Sequence, residues 1–241
     1  MQPYIYGMPA YSLFASLGLW VMMMVLYFRC SDIPFKRFLL LIFMMVIGVA
    51  LGSKCLFILT KIPEIIANFS LKHAMHVIVT SGFVFYGGLF GACIAVHIFG
   101  EIHKTDTVQL LNLCSMGFAA FHMSGRIGCF FAGCCYGKEA NWGFALENEP
   151  EILRIPIQLI ESGCIFIILL VIVIIEKIYG TKKNSFKIYL GLYAICRFCT
   201  EFFRGDGIRG TWGLFSTSQW ISLAILFCLG VSALKCWIKR D

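Results

Sequence analysis

Residues 125–137 read GRIGCFFAGCCYG and follow a long apolar run. Arg126 stands between glycines, and three cysteines, Cys129, Cys134 and Cys135, fall within seven residues. Glycine permits backbone turns that other residues resist, and it lets another group approach the main chain closely. A guanidinium group matches phosphate oxygens with a fixed fork of donors. The stretch therefore predicts a glycine-rich, anion-binding loop that holds Arg126.

The composition is typical of an integral membrane protein. Of 241 residues, 59% are hydrophobic and only 14% are charged, whereas a soluble domain carries about a quarter charged residues. Apolar runs of about 20 residues can cross the hydrocarbon. Such runs occur near residues 11–28, 38–60, 75–99, 107–124, 157–175, 187–204 and 217–234. We predict an all-α, polytopic membrane helical bundle of about seven transmembrane helices, with residues 1–241 as a single integral membrane domain.

The basic residues predict the orientation of the bundle. The net charge is +7, but the basic residues lie in short loops, which indicates membrane topology and excludes a nucleic-acid-binding face. One set follows the first, third, fifth and last runs: Arg29, Lys36, Arg37, Lys104, Lys177, Lys182, Lys183, Lys187, Lys235, Lys239 and Arg240. The opposite set is Lys61, Lys72, Arg126, Lys138, Arg154, Arg204 and Arg209. The positive-inside rule makes the larger set cytoplasmic, so the amino terminus and the 125–155 loop are expected outside and the carboxyl terminus inside.

Glycines in the second and third runs have two interpretations. Gly48 and Gly91 belong to patterns of small residues spaced four apart, which favour close helix packing in lipid. Gly87 and Gly88 follow Tyr86, and we interpret this group as a pivot with a polar tip in an apolar run.

Charged residues within the apolar runs have a functional and a structural interpretation. Lys54 lies deep in the second run, where a cation costs about 3 kcal/mol and so faces a bundle interior, unless its stem reaches an interface. Arg197, Glu201 and Arg204 are spaced four and then three, which puts them on one side of a helix. A structural ion-pair ladder is the alternative for this row. We favour a substrate path, because charges inside a membrane usually mark one.

A further polar pair, Gln158 and Glu161, is three residues apart at the start of the fifth run and falls on one helix face. Taken together, these stretches resemble the bacterial prolipoprotein diacylglyceryl transferase family. The residues that carry the resemblance are MPAYS (8–12), YGGLFG (86–91), GRIG (125–128), PIQLIE (156–161), RFCTEFFR (197–204) and STSQ (216–219).

The resemblance implies a multi-pass enzyme of the bacterial cytoplasmic (inner) membrane, with an active site toward the outer leaflet and no cofactor. Its reaction moves diacylglyceryl from phosphatidylglycerol onto the lipobox cysteine of a preprolipoprotein signal peptide and releases glycerol phosphate. By position, Arg126 and Arg197 match the catalytic arginines of the family. The resemblance implies substrate contacts for Tyr11, Lys54, Gly87, Gly88, Gln158, Glu161, Glu201 and Arg204.

The sequence departs from the family at positions that matter. Tyr86 stands where the family has a histidine, and Cys129 stands where it has an asparagine. Ala132 and Cys134 replace a later asparagine and glutamate, and Lys54 replaces an arginine. Membership therefore does not by itself fix the acceptor or the reaction.

Two residues are therefore candidates for the general base. The attacking thiol has an ordinary pKa near 8.5 and must lose its proton. Tyr86 has an unperturbed pKa of about 10, which nearby arginines would have to lower. His122 lies four residues before Arg126 and shares its face if the helix persists; the alternative is a hydrogen-bonded packing histidine.

The cysteines allow other classes of function. A disulfide that braces the loop is preferred for Cys129, Cys134 and Cys135, and covalent or redox catalysis by a thiol/disulfide enzyme ranks second. We expect no metal, because C-x4-C-C lacks the paired C-x2-C spacing of zinc sites. The remaining alternative is a non-catalytic lipid-binding or transport relative on the same scaffold.

Overall fold

The computed structural model describes residues 4–67, 70, 84–206 and 211–238. Within them lie seven helices: α1 (Ala10–Arg29), α2 (Phe35–Ala67), α3 (Phe85–His103), α4 (Thr107–Phe131), α5 (Ile157–Tyr179), α6 (Ser185–Glu201) and α7 (Thr217–Ile238). Three short antiparallel pairs accompany them: β1 (Tyr4–Ile5) with β2 (Met8–Pro9), β3 (Glu139–Leu146) with β4 (Glu149–Arg154), and β5 (Thr211–Trp212) with β6 (Phe215–Ser216).

The predicted all-α polytopic membrane bundle is confirmed. In the described residues, five helices are long and apolar enough to cross a membrane, namely α1, α2, α3, α5 and α7. On α5, Ile165 and Ile168 are buried, whereas Phe166 and Ile167 are half exposed, so apolar residues line both the packed and the outer face. A helix that is apolar all round needs lipid on its unpacked side. The count of seven spans and the orientation stay predictions.

The chain forms two compact units, one of residues Met1–Arg29 and Asn112–Asp241 and the other of residues Cys30–Leu111. In the first unit α1 packs along α4 at small residues. A Cβ on Gly18 would lie 2.8 Å from Cβ of Ser124, and a Cβ on Gly128 would lie 3.0 Å from Cβ of Phe14. The Phe14 ring also stacks on that of Phe131 at 5.1 Å. These contacts bring the start of α1 to the end of α4.

The second unit is built on a four-glycine contact between α2 and α3. A Cβ on Gly91 would lie 1.9 Å from the carbonyl oxygen of Gly48, and one on Gly87 would lie 2.3 Å from that of Gly52. The packing predicted for Gly48 and Gly91 is therefore confirmed. Gly87 makes the same kind of contact, so its place in the fold is explained by packing.

The predicted 125–155 loop is wrong in its first part. Helix α4 continues through Phe131, so Arg126 lies within a helix and not in a glycine turn. Gly125 and Gly128 are tolerated because a helix satisfies its own backbone hydrogen bonds. The remainder contains the β3–β4 hairpin, which the sequence analysis did not anticipate. Of the other predicted features, the stretch 75–83 and the basic residues Lys72, Arg209, Lys239 and Arg240 lie outside the described residues.

Candidate active site

A buried carboxylate forms the centre of the first unit. Helix α5 begins after Pro156, and Glu161 lies in its second turn, fully buried. Its Oε2 atom lies 2.6 Å from Nε of Arg126 on α4. Its Oε1 atom pairs with Arg197 on α6 and accepts a hydrogen bond from Oγ1 of Thr200 at 3.0 Å. Two arginines from separate helices therefore meet on one carboxylate.

Arg197 is held from three sides. Besides Glu161, it pairs with Glu201 one turn further along α6, as the spacing of four predicted. Its Nη2 atom donates to Oγ of Ser218 at 3.3 Å, at the start of α7. Arg197 is 1% exposed, so its charge is compensated by neighbours within the protein.

Arg204 does not continue the row on α6, because that helix ends at Glu201. Nε and Nη2 of Arg204 instead donate to the two carboxylate oxygens of Asp206 at 2.9 and 2.8 Å. Nη1 points toward Glu161 but lies 3.9 Å from Oε1, too far for a hydrogen bond. Within the described part of the chain, this buried Nη1 has no hydrogen-bond partner.

Backbone hydrogen bonds fix Arg204 against the segment that follows α4. Lys138 N donates to Phe203 O at 2.8 Å, and Gly205 N donates to Tyr136 O at 3.0 Å, on either side of a bridge between Gly137 and Arg204. Gly137 is required here, because a Cβ would lie 2.5 Å from the carbonyl oxygen of Ile155. The β3–β4 hairpin and the end of α6 are thus joined beside the arginines.

His122 lies at the edge of the same cluster. Helix α4 persists from His122 to Arg126, as the spacing argument required. Nδ1 of His122 lies 3.2 Å from the hydroxyl of Tyr189, and its ring meets the Tyr193 ring edge-on at 4.6 Å. The charges of Arg126 and Glu161 act on the imidazole. His122 is therefore both a packed residue and a neighbour of the charged groups.

Sequence reasoning missed Tyr189 and Tyr193. Both are buried on α6, and Tyr193 lies close enough to Arg126 to interact with it electrostatically. Their spacing contains the signal, since Tyr189, Tyr193 and Arg197 succeed one another at intervals of four and so share one helix face.

The end of α4 brings the three cysteines together. Cys134 N donates to Cys129 O at 3.1 Å and Gly133 N donates to Phe130 O at 3.2 Å, with Gly133 at φ +69°. This pair of bonds is a Schellman motif, which folds the chain back over the last helical turn. Cys135 follows with φ +60°. The three Sγ atoms lie within 4.8 Å of one another.

The three cysteines are free in the structure, and the turn is closed there without the disulfide predicted to brace the loop. The pKa of Cys135 is lowered, chiefly by its hydrogen bonds with Cys129 and Cys134. The charges of Arg204 and Arg126 lower it further. Hydrogen bonding with Cys129 raises the pKa of Cys134. The bracing comes instead from the backbone and from Gln158, a fully buried residue whose Nε2 atom donates to Cys134 O at 2.8 Å.

Residues 5–235 match the prolipoprotein diacylglyceryl transferase family. The chain belongs to that family. It is similar to the phosphatidylglycerol–prolipoprotein diacylglyceryl transferase of Clostridium tetani, with 34% identity over 74% of this chain and 72% of the relative. It is also similar to the second such enzyme of Clostridium perfringens, with 33% identity over 75% and 72% of the two chains, and to the enzyme of Cupriavidus necator, with 27% identity over 83% and 74%.

The other predicted site residues of this transferase family member divide between the two units. In the first unit, Tyr11 lies against Gly128 and interacts electrostatically with Cys129 and Arg126. In the second unit, the Tyr86 ring is buried and stacks on that of Phe90 at 6.2 Å.

The remaining predicted residues of the second unit belong to α2 and α3. A Cβ on Gly88 would lie 2.7 Å from Oγ of Ser53, and Lys54 is half-buried on α2. Substrate contact by Lys54, Gly87 and Gly88 stays a prediction.

Proposed function

We propose that this protein transfers the diacylglyceryl group of phosphatidylglycerol to the thiol of a lipobox cysteine in a preprolipoprotein, and releases glycerol phosphate. The reaction would take place in the bacterial cytoplasmic membrane, at a site toward the outer leaflet. One observation carries the proposal: the convergence of Arg126 and Arg197 on the buried Glu161. The names of the relatives agree with this donor and acceptor.

The reaction requires a group that stabilises negative charge on the departing phosphate, and buried arginines can do this. A sulfur–carbon bond forms at the glycerol carbon of the lipid, the carbon–oxygen bond to phosphate breaks, and the electron pair leaves on the phosphate oxygen. Negative charge therefore builds on the departing group. Guanidinium donors fixed in a site of low dielectric stabilise such a charge far better than water does.

The balance of charge in the cluster suits a temporary anion. Three guanidinium groups, those of Arg126, Arg197 and Arg204, face the carboxylates of Glu161, Glu201 and Asp206. A guanidinium group has five N–H donors, more than one carboxylate can take up. The donors left over, such as Nη1 of Arg204, are available to phosphate oxygens. We assign Glu161 a positioning role, since it holds the arginines in place between turnovers.

The proton of the acceptor thiol has to move to a base. We assign this role to His122, because it is buried beside the cluster and because the Tyr189 hydroxyl orients its ring. Tyr86, the other residue considered from the sequence, remains the alternative.

The proposal is tested with purified protein in phosphatidylglycerol vesicles and a lipobox peptide, with the peptide mass as the readout. We expect the mass to rise by one diacylglyceryl group. Arg126→Lys and Arg197→Lys keep the charge but lose the planar fork, and each should lower kcat by about 10²-fold. Arg37→Lys, an exposed arginine of the second unit, is the matched control. Full transfer by both variants would contradict the role of the arginines.

The same assay separates the alternatives. Phosphatidylcholine vesicles of equal size test the donor, because a transferase that requires the phosphatidylglycerol headgroup should leave the peptide unchanged there. A thiol/disulfide enzyme would lose all activity in Cys129→Ser or Cys134→Ser, whereas a transferase that depends on arginines should still transfer the group, at most more slowly where the turn after α4 is loosened. A non-catalytic relative would leave the peptide mass unchanged in every vesicle.

A further inference from the structure

The sequence lacks the paired C-x2-C spacing of zinc sites, but the turn at the end of α4 brings its cysteines together as that spacing does. In a Schellman motif the side chains three positions before the helix cap and two positions after it lie next to each other. Cys129 and Cys134 occupy these two positions. Cys135, in the left-handed conformation, carries a third sulfur to the same point, so all three Sγ atoms lie within 4.8 Å.

We propose that Cys129, Cys134 and Cys135 bind one thiophilic metal ion of the zinc class. A zinc–sulfur bond of about 2.3 Å in tetrahedral geometry puts sulfurs about 3.8 Å apart, so shifts of about 1 Å close the present arrangement on an ion. Soft thiolates select ions such as Zn²⁺ and Cu⁺ over Mg²⁺ or Ca²⁺. Cys134 is exposed, which gives an ion a route to the site and leaves the fourth coordination position to water.

The surrounding charge favours this complex. Three thiolates around a divalent ion carry a net charge of −1. The guanidinium groups of Arg204 and Arg126, each of which also pairs with a carboxylate, act on Cys135 and would offset part of that charge. Neutral thiols lose their protons on binding, so affinity should fall as the pH is lowered.

The site would brace the arginine cluster. It would clamp the last turn of α4, three residues after Arg126, to the turn that leads into Gly137. That glycine bridges Arg204, and the Cys134 carbonyl accepts the hydrogen bond from Gln158. The proposal concerns a structural metal and does not depend on the proposed transferase reaction, so either can fail without the other.

The experiment uses the full chain in detergent, reduced and stripped of metal, with Zn²⁺ as the probe. Alkylation is followed cysteine by cysteine by mass spectrometry. With free Zn²⁺ at about ten times its dissociation constant, Cys129, Cys134 and Cys135 should be alkylated about tenfold more slowly, because only about a tenth of the sites are then open. The exposed Cys228 on α7 is the internal control and should not change.

Metal content gives the second readout. We expect one zinc per chain after gel filtration, and the triple serine variant of the three cysteines should lose it while Cys228→Ser retains it. If the triple variant fails to fold, the single variant Cys134→Ser tests the site, because it changes only the most exposed of the three thiols. Zinc retained by Cys134→Ser with unchanged affinity, or equal alkylation of the three cysteines with and without Zn²⁺, would overturn the proposal.

Discussion

Glu161 is the residue on which the charged centre depends. It is fully buried and contacts Arg126, Arg197 and Thr200, which belong to two other helices. A buried charge is stable only when it is paired, and removal of one partner leaves the others without compensation. The sequence showed the spacing of Glu161 from Gln158, but it did not show which arginines the carboxylate would meet.

Glu161→Gln should therefore destabilise the protein by roughly 3 kcal/mol, since it leaves two buried guanidinium groups without their shared carboxylate. Thermal unfolding in detergent measures the change, and transfer activity should fall with it. Glu151→Gln, at an exposed position of β4, is the control and should stay within about 0.5 kcal/mol of the parent. Equal stability of the two variants would mean that the cluster is not an ion-paired unit.

The choice of base gives a second prediction at the residue scale. A general base has to be deprotonated to act, so the rate should rise with pH through its pKa in the parent enzyme. His122→Gln should lose this rising limb and reduce kcat/KM by about 10²-fold, whereas Tyr86→Phe should keep the limb. The measurement is the pH profile of peptide transfer. A packing role alone would lower stability without moving the profile, and loss of the limb in Tyr86→Phe would reverse the assignment.

At the scale of elements, the helices were predictable and their ends were not. Apolar runs of about 20 residues predicted the positions of the helices, because only a helix satisfies the backbone within lipid. The end of α4 was predicted wrongly because Gly125 and Gly128 look like turn residues in the sequence but are helical. Gly128 is small because Phe14 packs on it. The proximity of Arg126 and Arg197 depends on this tertiary packing.

The junction between the hairpin and α6 gives a prediction for an element. Gly137→Ala should destabilise the protein by about 2 kcal/mol, because its Cβ would meet the carbonyl oxygen of Ile155 at 2.5 Å and that of Phe203 at 3.1 Å. Gly163→Ala on α5 is the matched control, since a Cβ there has no neighbour within 4 Å. It should be neutral or stabilising by up to about 1 kcal/mol. Detergent unfolding curves of the two variants decide the question, and equal curves would contradict a close backbone junction.

At the scale of the whole first unit, two ion-paired networks lie at opposite ends of α5, a buried one at Glu161 and a partly buried one at Glu176. Glu161 stands near the start of the helix and Glu176 near its end, about 22 Å apart at 1.5 Å per residue. Nη1 and Nη2 of Arg29 each donate to a carboxylate oxygen of Glu176 at 2.7 Å. Ser185 donates to the same carboxylate and so ties α6 to this end. Charged residues at both ends thus have structural partners within the protein.

These ion pairs affect which basic residues should be counted when the orientation in the membrane is predicted from the loops. Of the basic residues expected outside, Arg126, Arg154 and Arg204 are buried and ion-paired, so their positions follow from the fold and not from membrane topology. On the side expected inside, Lys177 and Lys182 are exposed. Arg29, in the set expected inside, is ion-paired with Glu176 as well, so setting these four residues aside leaves ten basic residues on the predicted cytoplasmic side and four on the other, in the direction of the positive-inside rule.

A labelling experiment tests that orientation. Asn148→Cys places a thiol at the exposed tip of the β3–β4 hairpin, and Thr181→Cys places one at an exposed position between α5 and α6. In right-side-out vesicles, a membrane-impermeant maleimide should label the first and spare the second, as mass spectrometry of the two peptides would show. Detergent should then expose Thr181→Cys to the reagent, which controls for a buried thiol. The opposite labelling pattern would place the arginine cluster toward the cytoplasm, where a secreted lipobox peptide has not yet crossed the membrane.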